Sequence, residues 1–387
     1  MTNSLVKKLT ITILVIVLLV ACLSIFAACN IDLDDIEVTF KDMKGREFTL
    51  KPADVQKVVC VGAGALRLYT YVGDMSKLYA VEEIEGSRTG FVSVRPYQIA
   101  YENEFKAIIE AGRTAGPGGP QAQVLQTEIL AQLEPDVVFS CLTLETSVIE
   151  DAEKAIGCPI VTLAYGKEKA FSSELKSSLG IISLVCGTEA RAAEVVVAME
   201  ALEADIKAKA KDKTSATVYL GCNSNWGKKG FLSTSKQYPI FTISGIKNVM
   251  DEDGKTIGDN GLTTWENIIT ADIDKILLDA GGLSIFKTDY EETSSPYPGN
   301  LAQMAAWTGK EVYLIMPNNA YDANVEMYFI NAYYALSVAY GIEIDMPTQA
   351  KEILDLFYGE GKVTYNDVKM YGGYQKLNLP DVWPTNA

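Results

Sequence analysis

Glu128 and Glu266 occupy the same place in two stretches that read alike, TEILAQLEPDVVF (127–139) and WENIITADIDKILL (265–278). With the glutamates superposed, Leu130 lies over Ile268, Leu133 over Ala271, Asp136 over Asp274, and Val138 and Phe139 over Ile276 and Leu277. A threonine ahead of each, Thr127 or Thr264, is a candidate helix cap. A carboxylate in a first helical turn is favoured by the helix dipole by ~0.3–1 kcal/mol, which is reason enough for either residue. The second reading is chemical. Two exposed carboxylates, one on each of two similar units, could pair with arginines of a two-fold symmetric partner.

Other chemistries are closed off by composition. The chain has no histidine, which removes Ser-His-Asp and Cys-His catalysis, the commonest general acid/base, and the imidazole ligands usual for zinc, copper and haem iron. Any metal must be held by carboxylate, tyrosine oxygen or cysteine, or arrive inside a chelator. No catalytic set, resident metal or cofactor is assigned. The net charge of −16 and pI near 4.6 speak against nucleic acid, which needs Lys/Arg to neutralise phosphates.

The positioning elements follow from length and pattern. At 387 residues the chain exceeds one ordinary core and suits two domains. EVTFKDMKGREFTLK alternates around Lys44-Gly45 and predicts a β-hairpin. KVVCVGAGALRLYTYVG predicts strand, glycine turn and helix. KLYAVEEI adds a strand, and QTEILAQLEPDVVFSC and SVIEDAEKAIGCPIVTLAY each add helix and strand. This alternation predicts α/β lobes with central parallel sheets. The first lobe spans 36–186. One long helix, 187–211, carries Ala192, Val195, Val196, Met199, Leu202 and Ile206 at helical spacing and reads as a rigid spine. The second lobe, 212–387, repeats the plan, with a ligand cleft between the two.

Residues 1–29 have Lys7 and Lys8, an apolar run and Ala27-Ala28-Cys29, the layout of a secretory signal. Its ending resembles a bacterial lipoprotein signal with Cys29 as the lipidated residue. Cys22 is the alternative, as is an uncleaved membrane anchor. Cys60, Cys141, Cys158, Cys186 and Cys222 sit in apolar contexts without C-x-x-C spacing and read as buried free thiols.

Ligands of open parallel sheets sit beyond the carboxyl ends of the strands. There GAGAL (62–66) reads as a tight turn. Arg67 stands where a dinucleotide fingerprint would need a third glycine. The turn could still offer amides to an anionic edge. Arg95 and Tyr97 follow, with Pro96 biasing Arg95 toward an extended backbone from which it could reach an anionic ligand or solvent. In the second lobe Asn223, Asn225, Trp226, Lys228 and Tyr238 come after one strand, and Asn318, Asn319 and Tyr321 after another. This pocket is aromatic and amide-rich with a few cations, and suits a bulky chelate better than a bare ion.

The chain resembles the substrate-binding lipoproteins of ABC importers for iron complexes and cobalamin. The matching residues are EVTFKDMKGREFTL, VVCVGAGALRL, RPY (95–97), GPGGP (116–120), TEILAQLEPDVVF, KKGFLSTS (228–235) and WENIITADIDKILLDAGG. Ile273 departs from the pattern where the first copy has Pro135. The resemblance implies that Gly118 and Gly119 line the cleft and that Glu128 and Glu266 dock on arginine pockets of a permease dimer. It implies a monomeric, lipid-anchored protein on the extracytoplasmic face that carries a metal chelate. A ferric siderophore comes first, then a corrinoid or haem. An oxyanion or organic solute, or a chelate-processing enzyme on the same lobes, are the alternatives.

Overall fold

The computed structural model describes residues 36–384 apart from 88–93, 120–122, 226 and 228. The signal segment with Cys22 and Cys29, and Trp226 and Lys228, lie outside the described residues.

A hairpin of β1 (Val38–Lys41) and β2 (Glu47–Leu50) comes first among the described residues. Its turn uses Gly45 at φ +78, a left-handed conformation that glycine adopts without steric cost. The first lobe is built on β3 (Val58–Val61), β4 (Leu78–Ala80), β5 (Val137–Ser140) and β6 (Ile160–Thr162). These form a parallel sheet in the order β4-β3-β5-β6. Val58 and Cys60 pack into the main core while Val59 and Val61 pack into a second cluster on the opposite face. Both faces are covered, which is why the strand reads as an unbroken apolar run.

The second lobe carries β7 (Thr217–Gly221), β8 (Lys247–Asn248), β9 (Lys275–Asp279), β10 (Val312–Ile315) and β11 (Gln375–Lys376) in the order β11-β10-β9-β7-β8. Only β11 runs antiparallel. With β3 laid on β7 and β5 on β9, the two sheets share one strand order, and lobe two adds β11 at its edge.

The duplicated sequence unit is the step into the second central strand of each sheet. Helix α1 (Ala65–Val72) follows β3, and α2 (Thr127–Leu133) precedes β5. The spine is α3 (Glu189–Ala210), and α4 (Trp265–Ile269) precedes β9. In lobe one the Asp136 amide donates to Lys57 O at 2.9 Å, and its carboxylate accepts from the amides of Gln56 and Lys57 at 2.8 and 2.7 Å. In lobe two the Asp274 amide donates to Thr217 O at 2.9 Å and its carboxylate accepts from the Thr217 amide at 2.7 Å. The repeated aspartate thus pins the incoming strand to its neighbour in both lobes. The caps differ. Thr264 accepts from the Asn267 amide at 3.4 Å, whereas Thr127 is itself the first helical residue, with Gln126 at the cap position and no side-chain cap. The expected Thr127 cap is therefore corrected. Buried Ile273 takes the turn that Pro135 takes in lobe one.

Helix α3 buries Ala192, Val195, Met199 and Ile206, with Val196 and Leu202 half-buried. Arg191 donates to Tyr71 O at 3.1 Å and Phe357 O at 3.3 Å, and Asp205 accepts from Tyr333 at 2.8 Å. The spine is therefore fastened to α1 of lobe one, to α5 (Val325–Tyr340) and to α6 (Met346–Tyr358) of lobe two. Thr188 donates its hydroxyl to Val72 O at 2.6 Å instead of capping the helix. Among the described residues no helix is long and apolar enough to cross a membrane. The five cysteines after Cys29 are free, Cys141 half-buried and the rest buried.

Candidate functional site

The turn after β3 holds Gly62 at φ +83 and Gly64 at φ +92. A Cβ on Gly62 would meet the Leu142 side chain at 2.9 Å, and one on Gly64 the Tyr165 ring at 2.4 Å. Both the backbone conformation and the close approach demand glycine. The Gly62 amide donates to Glu82 Oε1 at 3.1 Å, so the oxygen it meets is an internal carboxylate. One turn into α1, Arg67 is fully buried. Its Nη1 donates to Tyr165 OH at 3.3 Å and to Tyr321 O at 3.0 Å, and Nη2 donates to Ala320 O. The guanidinium stands 4.8 Å from the Tyr97 ring centroid, a cation–π distance. Arg67 therefore joins lobe one to the loop after β10 in lobe two.

Tyr321 completes the junction. Its hydroxyl donates to Glu82 Oε2 at 2.7 Å and accepts from the Gly119 amide at 3.0 Å. Gly118 and Gly119 have φ of +65 and +98, and a Cβ on Gly118 would fall 2.8 Å from the Glu82 side chain. The glycine loop is thus the only kind of chain that fits beside Glu82. Next along, Asp322 pairs with Lys169 at 3.1 Å, and Asn324 donates to Val94 O at 3.1 Å. Tyr71 of α1 donates to Glu326 of α5 at 2.6 Å.

Arg95 and Tyr97 have an internal task. Arg95 is extended (φ −111, ψ 96) ahead of a helix that starts at Pro96, as the proline predicts. Its guanidinium is buried and pairs with Glu85 at 2.9 Å, with a further bond to Ile84 O at 2.9 Å. Tyr97 donates to the same Glu85 carboxylate at 2.7 Å. Both residues bind the buried acid Glu85. Burial pushes the Glu85 carboxyl above its usual range against the pull of Arg95, and pushes Glu82 up to about 7.

The lobe-two wall is a chain of amides. Asn223 donates to Ser235 Oγ at 2.5 Å, the Asn225 amide to Asn223 Oδ1 at 3.3 Å, and Asn319 to Asn225 O at 2.8 Å. Asn318 donates to the hydroxyl of Tyr238 at 3.1 Å, and Tyr238 is buried. Asp279 accepts from Ser224 at 2.7 Å, and burial lifts its carboxyl to about 6.

The structure thus brings Arg67, Gly119 and Tyr321 together with the Tyr97 ring against Arg67, places Asn319 two residues before Tyr321, and buries Arg95, Tyr97 and Tyr238. Sequence reasoning passed over Glu82, Glu85, Tyr165, Lys169, Asp322 and Glu326. One signal was readable: Glu326 is the lone charge in the sixteen residues of α5. A buried acid in such a stretch requires a partner. Beside the junction lies a cavity of about 300 Å³ whose lining includes Lys44, Thr143, Thr162, Tyr165, Lys169 and Asp322. Among the described residues no three of His, Cys, Asp or Glu come together to hold a metal. Glu128 and Glu266 are both exposed.

No curated protein matches the chain. Among solved structures it is similar to a periplasmic solute-binding protein of Veillonella parvula, at 17% identity and TM-score 0.59 over 86% of this chain and 95% of that one. It is similar to molybdate-bound MolA of Haemophilus influenzae, at 15% identity and TM-score 0.58 over 85% and 99%. It is also similar to CeuE of Helicobacter pylori with Ni(II) bound, at 16% identity and TM-score 0.51 over 83% and 96%. At such identities these likenesses establish the fold of two α/β lobes. Residues 95–309, more than half the chain, match the family described as periplasmic binding protein, and this chain belongs to that family.

Proposed function

We propose that the protein is the extracytoplasmic solute-binding component of an ABC importer. It captures a metal chelate, a ferric siderophore foremost and a corrinoid or haem next, and delivers it to a permease dimer. Capture takes place between the lobes, and Cys29 carries the lipid that tethers the body to the membrane. The observation that carries this reading is the meeting of the two sheets. Loops that follow strands of the two similarly ordered sheets meet, with Arg67, Gly119 and Glu82 of lobe one touching the loop that holds Ala320 and Tyr321 of lobe two. Tyrosine, amide and guanidinium groups supply donors and ring faces for an organic chelate, and a chain without histidine suits cargo that brings its own ligands. Glu128 and Glu266, exposed at matched places on the two lobes, supply the docking carboxylates. Trp226 and Lys228 remain ligand-binding candidates.

A second reading, capture of a smaller oxyanion or organic acid, is favoured by the modest cavity beside Lys169. The test is a thermal-shift panel of ferric siderophores, cobalamin, haem and molybdate. A ligand at 100 times its Kd adds about 2.7 kcal/mol to folding stability. The proposal expects the shift with a ferric chelate and no turnover of it. A shift with molybdate alone would favour the second reading, and conversion of a chelate would make the protein an enzyme.

A further inference from the structure

Three donors of lobe one spend themselves on three consecutive residues of lobe two. Arg67 donates to the carbonyls of Ala320 and Tyr321, the Gly119 amide donates to the Tyr321 hydroxyl, and Lys169 pairs with the Asp322 carboxylate. In each case the group on lobe two is an oxygen. The backbone is bent to bring this about. Tyr321 and Asp322 are successive non-glycine residues in the left-handed region, at φ +55 and +67, and Lys169 facing them is at φ +52. Strain of this kind persists only where the surroundings impose it and gathers at clamps and switches.

Donors are left over. Arg67 Nε is buried without a partner among the described residues. So is the hydroxyl of Thr162, a residue that is 6% exposed and lines the cavity bounded by Lys169 and Asp322. An orphaned buried donor costs free energy that an incoming acceptor would recover. The Lys169–Asp322 pair is reached by water, with side chains 36% and 26% exposed, and pairs in that setting are weak and exchangeable.

We infer that residues 320–322 are an internal stand-in for the ligand, and that the ligand is anionic and oxygen-rich, binding Arg67 and Lys169 as Asp322 leaves. This deepens the proposed function and rests on the junction being the capture site. The carboxylate of Asp322 competes with the cargo for one lysine, so it lowers affinity for anions and leaves uncharged solutes unaffected.

The test uses the whole protein and three probes: a trianionic ferric tris-catecholate, an uncharged ferric tris-hydroxamate, and molybdate. Asp322→Asn removes the charge while its amide oxygen can still accept from the Ala323 amide, now bonded at 2.7 Å, and asparagine tolerates positive φ. Calorimetric titration should show Asp322→Asn binding the catecholate complex about two- to fivefold more tightly than wild type, the factor set by an exchangeable ion pair. Lys169→Gln should weaken that binding by a similar factor, and the hydroxamate should respond to neither change. An affinity that is unchanged or reduced in Asp322→Asn overturns the inference. Preference for the uncharged complex overturns the anionic class while the chelate reading stands. Binding of molybdate alone, tightened by Asp322→Asn, sinks the chelate reading and keeps the stand-in. Failure of every probe with every variant sinks both.

Discussion

Glu82 holds two hydrogen bonds, from the Gly62 amide and the Tyr321 hydroxyl, yet burial still outweighs them and its carboxyl is raised to about 7. The sign of the consequence follows directly. The unfolded carboxyl titrates near 4.5, so the folded state binds the proton more tightly. The associated stability is complete below that value and is lost as pH rises through about 7. From this group alone, stability should fall by up to about 3 kcal/mol between pH 5 and pH 8. Glu82→Gln, measured by urea unfolding across that range, should flatten the profile. An unchanged slope would show that Glu82 is ionised and solvated at neutral pH. Arg95 shows how a residue legible as a candidate can have a partner that the sequence does not reveal. Its type and its extended backbone before Pro96 were readable, but its partner Glu85 was not. Both sit in a stretch that looks polar and exposed in one dimension and is buried in three.

At the scale of elements, the twin units around α2 and α4 were legible because glutamate, leucine and aspartate recur at one spacing. What the aspartates do was not. Asp136 holds two backbone amides and Asp274 one, in each case at the entry of a neighbouring strand. Asp136→Ala and Asp274→Ala should each cost about 1 kcal/mol, the net worth of such bonds at an exposed site. The double variant should be additive within about 0.5 kcal/mol because the sites lie in different lobes. Denaturant midpoints that move for one substitution only would show that the two turns are not equivalent. The caps already differ, since Thr264 caps its helix and Thr127 does not. Glutamate in the first turn is favoured by the dipole whichever residue caps, so the carboxylate pair does not depend on the cap.

For the molecule as a whole, α3 is bonded to α1 on one side and to α5 and α6 on the other. These bonds tie the spine helix to both lobes, so on the proposed function a wide hinge opening would have to break them. On the proposed function, the exposed Glu128 and Glu266 present one pair of charges to the permease. Glu128→Arg combined with Glu266→Arg should abolish uptake in whole cells and leave ligand affinity in solution unchanged. Wild-type uptake by that double variant would remove the docking role, and lost affinity would place the two residues in the cleft.

The sequence by itself determined the α/β alternation, the hairpin, the spine helix, the twin helix–strand units and the glycines at the first strand turn. Each of these is local, written in periodicity or backbone freedom over fewer than about 25 residues. Only the tertiary structure decided which polar groups meet. Tyr321 finds Glu82 across 239 positions and Arg67 finds the Tyr321 carbonyl across 254. No spacing rule reaches that far, because the pairing is set by how two separately formed lobes approach and by the cost of burying a charge without a partner.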